Sequence, residues 1–138
     1  MTETEVVRAF FAALEKNDKA GALALCSDDV IYQNVPLPAT QGRAGMEKQL
    51  GSIAKVAPEF GVEITNIAAD GPVVLTERRD TLGRGPVKAE FWVCGTFEVR
   101  DGRITLWRDY FDWTTVLSSG VMGAGKAALD AVRRSLGR

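Results

Sequence analysis

"VKAEFWVCGTFEVRDGRITLWRDYFDW", residues 87–113, decides the fold. Its two halves are rich in aromatic and β-branched residues, the composition of strands. They meet at Arg100-Asp101-Gly102-Arg103, where Asp-Gly suits the positive φ angles of a tight hairpin turn. Working upstream, "PVVLTERRDTL" (72–82) reads as a third strand, joined to the hairpin through the turn "GRGP" (83–86). "FGVEITNIAAD" (60–70) is a fourth, with Val62, Ile64 and, imperfectly, Asn66 alternating before a turn at Asp70-Gly71. A shorter strand, "VIYQN" (30–34), precedes the loop Pro36–Pro38.

The remainder is helical in pattern. "TETEVVRAFFAALEKND" (2–18) offers a Thr cap, a Glu in the first turn, and Val6, Val7, Phe10, Phe11 and Leu14 at helical spacing. "KAGALALCSDD" (19–29) reads as a short second helix ended by Ser27 and the two aspartates. "GRAGMEKQLGSIAKVA" (42–57) places Met46, Leu50 and Ile53 on one helical face. The end of the chain is expected to be a loop and then a helix over about 123–136. Helices followed by a meander of strands predict an α+β fold. The expectation is one domain over 1–138, a curved mixed β-sheet wrapped around the N-terminal helices as a cone with an apolar pocket.

Composition narrows the chemistry. Apolar residues at 46% and charged ones at 25% are those of a globular chain rather than a disordered one. The net charge of −1, with 17 scattered basic residues, argues against a nucleic-acid partner. No apolar run of about eighteen residues suggests a membrane span. "MTETEVVRAFF" has no apolar core, so no secretory signal is expected. Cys26 and Cys94 lack metal-ligand spacing and sit in apolar surroundings, the pattern of buried reduced thiols in a cytoplasmic protein. The absence of histidine excludes Ser–His and Cys–His nucleophile systems and His-ligated zinc. Acid–base chemistry then falls to carboxylates, Tyr, Lys or Cys.

Period-two alternation sorts the polar residues of three strands. Tyr32 and Asn34 share a face with Val30; Ile31, Gln33 and Val35 take the other. Thr76, Arg78, Asp80 and Leu82 share a face, and so do Thr105, Trp107, Asp109, Phe111 and Trp113. An Asp between two aromatics on one face needs a partner once buried. Arg78, a planar fork able to bind two carboxylates, can provide it, giving Asp80–Arg78–Asp109 beside Tyr32 and Asn34. Spacing alone fits an ordinary ion-pair network at least as well as a catalytic one.

"YQNVPLP" (32–38), "TERRDTL" (76–82) and "WRDYFD" (107–112) resemble, in order, the three signature stretches of the limonene-1,2-epoxide hydrolases. That family belongs to the nuclear-transport-factor-like superfamily of cone-shaped α+β proteins. The resemblance runs from the first helix to about Asp112 and implies roles residue by residue. Asp109 is the general base for an attacking water that Tyr32 and Asn34 hold. Asp80 is the general acid for the epoxide oxygen, and Arg78 bridges the two aspartates. It implies no metal and no organic cofactor, an apolar epoxide of about terpene size as substrate, and a homodimer through the open sheet face near Arg108, Tyr110 and Asp112. Face parity nominates Leu82, Phe91, Val93 and Phe111 for the substrate pocket, with Ile53 of the third helix beside them.

Two other readings fit the same cone. A ketosteroid-isomerase- or polyketide-cyclase-like enzyme can use Tyr32 as an oxyanion donor, but a bridging arginine weakens a base that must remove a proton from carbon. A non-catalytic binding protein has no need of an acid and a base on adjoining strands.

Overall fold

The computed structural model describes the backbone of residues 1–137 and their side chains other than those at 119 and 121–123. Helix α1 (Glu3–Glu15) begins as its sequence directs, with the Thr2 hydroxyl accepting from the Glu5 amide and Glu3 and Glu5 in the first turn. Its apolar face, Val6, Val7, Phe10 and Phe11, is fully buried. Burying each phenylalanine contributes about 1.5–3 kcal/mol. Their rings meet Trp107 and Phe97 edge-on, at centroid distances of 5.1 Å (Phe10–Trp107) and 5.5 Å (Phe11–Phe97).

Helix α2 (Lys19–Ala24) is shorter than its sequence suggested. Ser27, Asp28 and Asp29 do not end it; they already belong to strand β1 (Cys26–Val35). The helix is capped instead at its start, where the Asp18 carboxylate accepts from the Gly21 amide at 2.9 Å. A two-residue strand β2 (Thr40–Gln41) follows, then α3 (Arg43–Val56), β3 (Glu59–Asp70), β4 (Val73–Arg84), β5 (Val87–Arg100) and β6 (Arg103–Tyr110).

The six strands form one sheet in the order β2-β1-β6-β5-β4-β3. All neighbours are antiparallel except β1 and β6, so the sheet is mixed. The β5–β6 turn has positive φ at both Asp101 (53°) and Gly102 (75°), as the Asp-Gly pair required. Two bulges revise the face assignments. One between Ile64 and Asn66 turns Asn66 outward and Ile67 toward the core. The other makes Thr105 an extra residue opposite β5, so that Ile104, and not Thr105, joins Trp107 and Asp109 inside.

Helix α1 packs across the concave face and α3 lies at its rim. Of α3 only Met46 is fully buried, while Leu50 and Ile53 are half-buried because that face looks onto open space rather than a filled core. The terminal helix α4 (Trp113–Leu136) starts ten residues before the expected position, directly after β6, and packs along β5. Asp112 is its cap, accepting from Thr114 N and Thr115 Oγ1 at 2.9 Å each, and so does not lie on the outer sheet face. Cys26 is buried as expected, its thiol pushed up to about 11 by burial, whereas Cys94 is only half-buried on the outer face. Among the described residues no helix is long and apolar enough to cross a membrane.

Candidate active site

Strand β4 turns Thr76, Arg78 and Asp80 onto the concave face, and their alternation there is unbroken. Strand β6 is separated from β4 by β5, and the register sets Gly95 of β5 between Thr76 and Asp109. Across the missing side chain of Gly95 the Arg78 guanidinium reaches Asp109. A Cβ at position 95 would lie 2.5 Å from Asp109 Oδ1 and 2.6 Å from Arg78 Nη1. No other residue type leaves room for the ion pair.

Arg78 is completely buried, and all five of its N–H groups are used. Nε and Nη2 donate to Asp80 Oδ1 and Oδ2 at 3.1 and 2.9 Å. Nη1 and Nη2 donate to Asp109 Oδ1 and Oδ2 at 3.0 and 2.8 Å. The last Nη1 hydrogen goes to Thr76 Oγ1 at 3.1 Å. The guanidinium carbon also lies 4.5 Å above the centre of the Phe11 ring, a cation–π contact in a dry setting. Burial works against its charge, but the two carboxylates more than compensate, so it remains a cation at all ordinary pH. Two bidentate forks on one cation hold the carboxylates in a fixed mutual orientation.

The two acids have different surroundings. Asp109 also accepts from the indole Nε1 of Trp107 at 2.8 Å, on the oxygen that faces Arg78 Nη1. Burial raises the pKa of Asp80; the hydrogen bonds and charge of Arg78 pull it down, and Asp109 and Glu15 push it further up. The net direction is upward, toward holding a proton.

Parallel pairing of β1 with β6 brings the remaining polar groups to this place, with Tyr32 opposite Trp107 and Asn34 opposite Asp109. Tyr32 stacks on the Trp107 ring at 4.4 Å, and Asn34 Nδ2 donates to its phenol oxygen at 3.0 Å. The phenol hydrogen and Asn34 Oδ1 are left for another partner. Burial first, and then the nearby Asp109, raise the Tyr32 pKa, so the phenol keeps its hydrogen.

These groups floor a cavity of about 250 Å³. Tyr32, Asn34, Asp80 and Asp109 line it, and so do Leu82, Phe91, Phe111 and Ile53. Arg78 does not line it, being sealed behind the carboxylates. Val93, nominated on face parity, is also absent from the lining: it sits opposite Arg78 in the β4–β5 register, where the guanidinium fills the space, and is fully buried. The sequence reading missed Trp107 as a donor to Asp109, Gly95 as the gap, and Trp113 and Val116 of α4 as wall residues. Trp113 was placed on the Asp109 face but as the end of a strand, and Val116 lay ahead of the expected helix, whereas both belong to α4. Among the described residues no group of three or more His, Cys, Asp or Glu is placed to hold a metal ion.

A family model described as the limonene-1,2-epoxide hydrolase catalytic domain matches residues 1–122. Over 110 residues, 77% of this chain and 70% of the relative, the sequence is 46% identical to the epoxide hydrolase EphG of Mycobacterium tuberculosis. A solved structure of an M. tuberculosis LEH-like epoxide hydrolase has a TM-score of 0.84 at 40% identity, covering 93% of this chain and 96% of that one. A putative polyketide cyclase from Xanthomonas campestris shares the fold alone, with a TM-score of 0.69 at 21% identity over 85% of this chain and 96% of its own.

Proposed function

From the premise that this chain is an epoxide hydrolase of the limonene-1,2-epoxide hydrolase family, we propose that it opens an apolar epoxide to a vicinal diol by one-step attack of water. The observation that carries this is the division of Arg78's donors between two carboxylates that edge an apolar cavity beside Tyr32 and Asn34.

A water at this place donates one hydrogen to Asp109 and one to Asn34 Oδ1, and accepts from the Tyr32 hydroxyl. Its second lone pair is then the one free to attack. As the water oxygen bonds to an epoxide carbon, that carbon's bond to the ring oxygen breaks. Asp109 takes the water's proton, and Asp80 gives its own to the departing oxygen, so no charge is left on the diol. The proton now on Asp109 passes to Asp80 or is exchanged with solvent before the next cycle. Burial of Asp80 favours the protonated form this role needs. Each of the two proton transfers is worth about 10²–10⁴-fold, and positioning of the water adds to them. Leu82, Phe91, Phe111 and Ile53 are the proposed walls for the hydrocarbon part of the substrate.

The test is a single turnover in ¹⁸O-labelled water with excess enzyme and a panel of cyclic and aryl epoxides. One labelled oxygen in the diol from the first cycle is the expected result. An unlabelled first product identifies a protein carboxylate as the nucleophile and overturns the one-step mechanism.

We also assign the outer sheet face to a second copy of the chain. Leu75, Trp92, Tyr110 and Ile31 expose apolar surface there, far from the cavity. A dimer at micromolar concentration in sedimentation is expected; a monomer under those conditions rules this assignment out.

A further inference from the structure

The cavity lining is mostly apolar, Leu14, Leu50, Ala54 and Phe60 included; its polar uncharged members are Asn17, Tyr32 and Asn34. One cation breaks that surface. Lys19, the first residue of α2, lines the cavity and is half-buried. Its ammonium rests against Gly51 of α3, 3.8 Å from where a Cβ would stand. Among the described residues it takes part in none of the ion pairs. The acids nearest in sequence are engaged elsewhere: Asp18 caps α2, and Glu15 accepts from the Val62 amide at 3.3 Å.

We propose that Lys19 is a specificity-determining residue that receives the carboxylate of an epoxide acid, a substrate with the oxirane at one end and the anionic group at the other. The inference rests on the epoxide-hydrolase reading and names the substrate class of the same cavity. Lys19 is the one cationic side chain among the lining residues, and the nearby Glu15 carboxylate, whose charge also reaches Asp80, is held by the Val62 amide rather than by an ion pair with Lys19. A partly desolvated ammonium beside hydrocarbon gains more from an anion than one in open water. The lysine stem extends the apolar wall while its head meets the carboxylate. Because Lys19 and the aspartates stand on separate, packed elements, the distance between them is set, and it selects a chain length.

The experiment compares terminal-epoxide carboxylic acids of increasing chain length with their methyl esters. The wild-type enzyme is expected to favour the acid over the ester at one length. Lys19→Met is expected to lower that acid-to-ester ratio in kcat/KM roughly tenfold, mainly through KM, the size of a hydrogen bond to a charged group. Lys19→Arg should restore it. Calorimetry with decanoate and decanol, which have no oxirane, reads the same site without turnover: decanoate should bind the wild type more tightly, and the Met variant should not distinguish the two. A ratio unchanged in Lys19→Met, or no preference for decanoate, overturns the assignment of Lys19. Decanoate preference without hydrolysis of any epoxide instead upholds the carboxylate site and removes the reaction assigned to the cavity.

Discussion

Arg78→Met should destabilise the fold by about 3–5 kcal/mol at neutral pH, the cost of leaving buried charge without its partner. Methionine keeps most of the volume, so the loss reports charge and hydrogen bonds rather than an empty space. Five donors disappear, and Asp80 and Asp109 are left without the cation between them. Two like charges in that setting hold protons more tightly than in the unfolded chain. The sign follows from linkage. A carboxyl whose folded pKa is raised is least harmful to stability below its unfolded pKa, and its cost grows as pH rises to the folded value. The deficit of the variant should therefore shrink on acidification from pH 8 toward pH 5, read by urea unfolding at each pH. An equal deficit at both ends would mean that Arg78 is held by packing alone. Gly95→Ala is the companion variant: it removes no polar group but forces a methyl into the same ion pair, and should cost activity together with about 1–3 kcal/mol.

Asp109→Asn and Asp80→Asn should each lower kcat/KM by about 10²–10⁴-fold with the protein still folded. Groups that act in one step do not add, so the double variant should be little slower than the slower single one. The two differ in what they do to Arg78. Asparagine at 80 replaces a carboxyl already inclined to be neutral, and Asp109 remains as counter-ion. Asparagine at 109 leaves Asp80 as the cation's one anionic partner, so the Asp80 pKa should fall on that substitution, measurable by ¹³C titration of its carboxyl. An Asp80 that titrates unchanged in Asp109→Asn would uncouple the two acids. In the wild type, activity should decline on the alkaline side as Asp80 loses its proton, with that limb above the ordinary carboxylate range because burial raises its pKa. The limb belongs to the coupled pair of acids rather than to one residue.

Much of the site was legible because strand periodicity is local. Alternation along β4 alone places Arg78 and Asp80 on one face, and along the end of β6 places Trp107 beside Asp109. The Asp101-Gly102 turn sets the register of that hairpin through its own backbone angles. Where a bulge inserted a residue, as at Thr105, the same rule failed, since the extra residue is tolerated by the partner strand and not announced by its own side chain. Val93 failed for a related reason: its face was read correctly, but the space in front of it is filled by Arg78 from the neighbouring strand.

The amino-acid sequence by itself determined most of the strand and helix cores, the shared faces of Tyr32 with Asn34, of Arg78 with Asp80 and of Trp107 with Asp109, and that any acid–base chemistry runs without histidine. Only the tertiary structure decided that β1 lies parallel to β6, so that Tyr32 and Asn34 meet Trp107 and Asp109, and that α4 begins at Trp113 to wall the cavity. It also decided that Lys19 comes to rest on Gly51. The physical reason is that alternation and capping act between residues a few positions apart, whereas these placements depend on which volumes and charges exclude or attract one another across elements far apart in the chain.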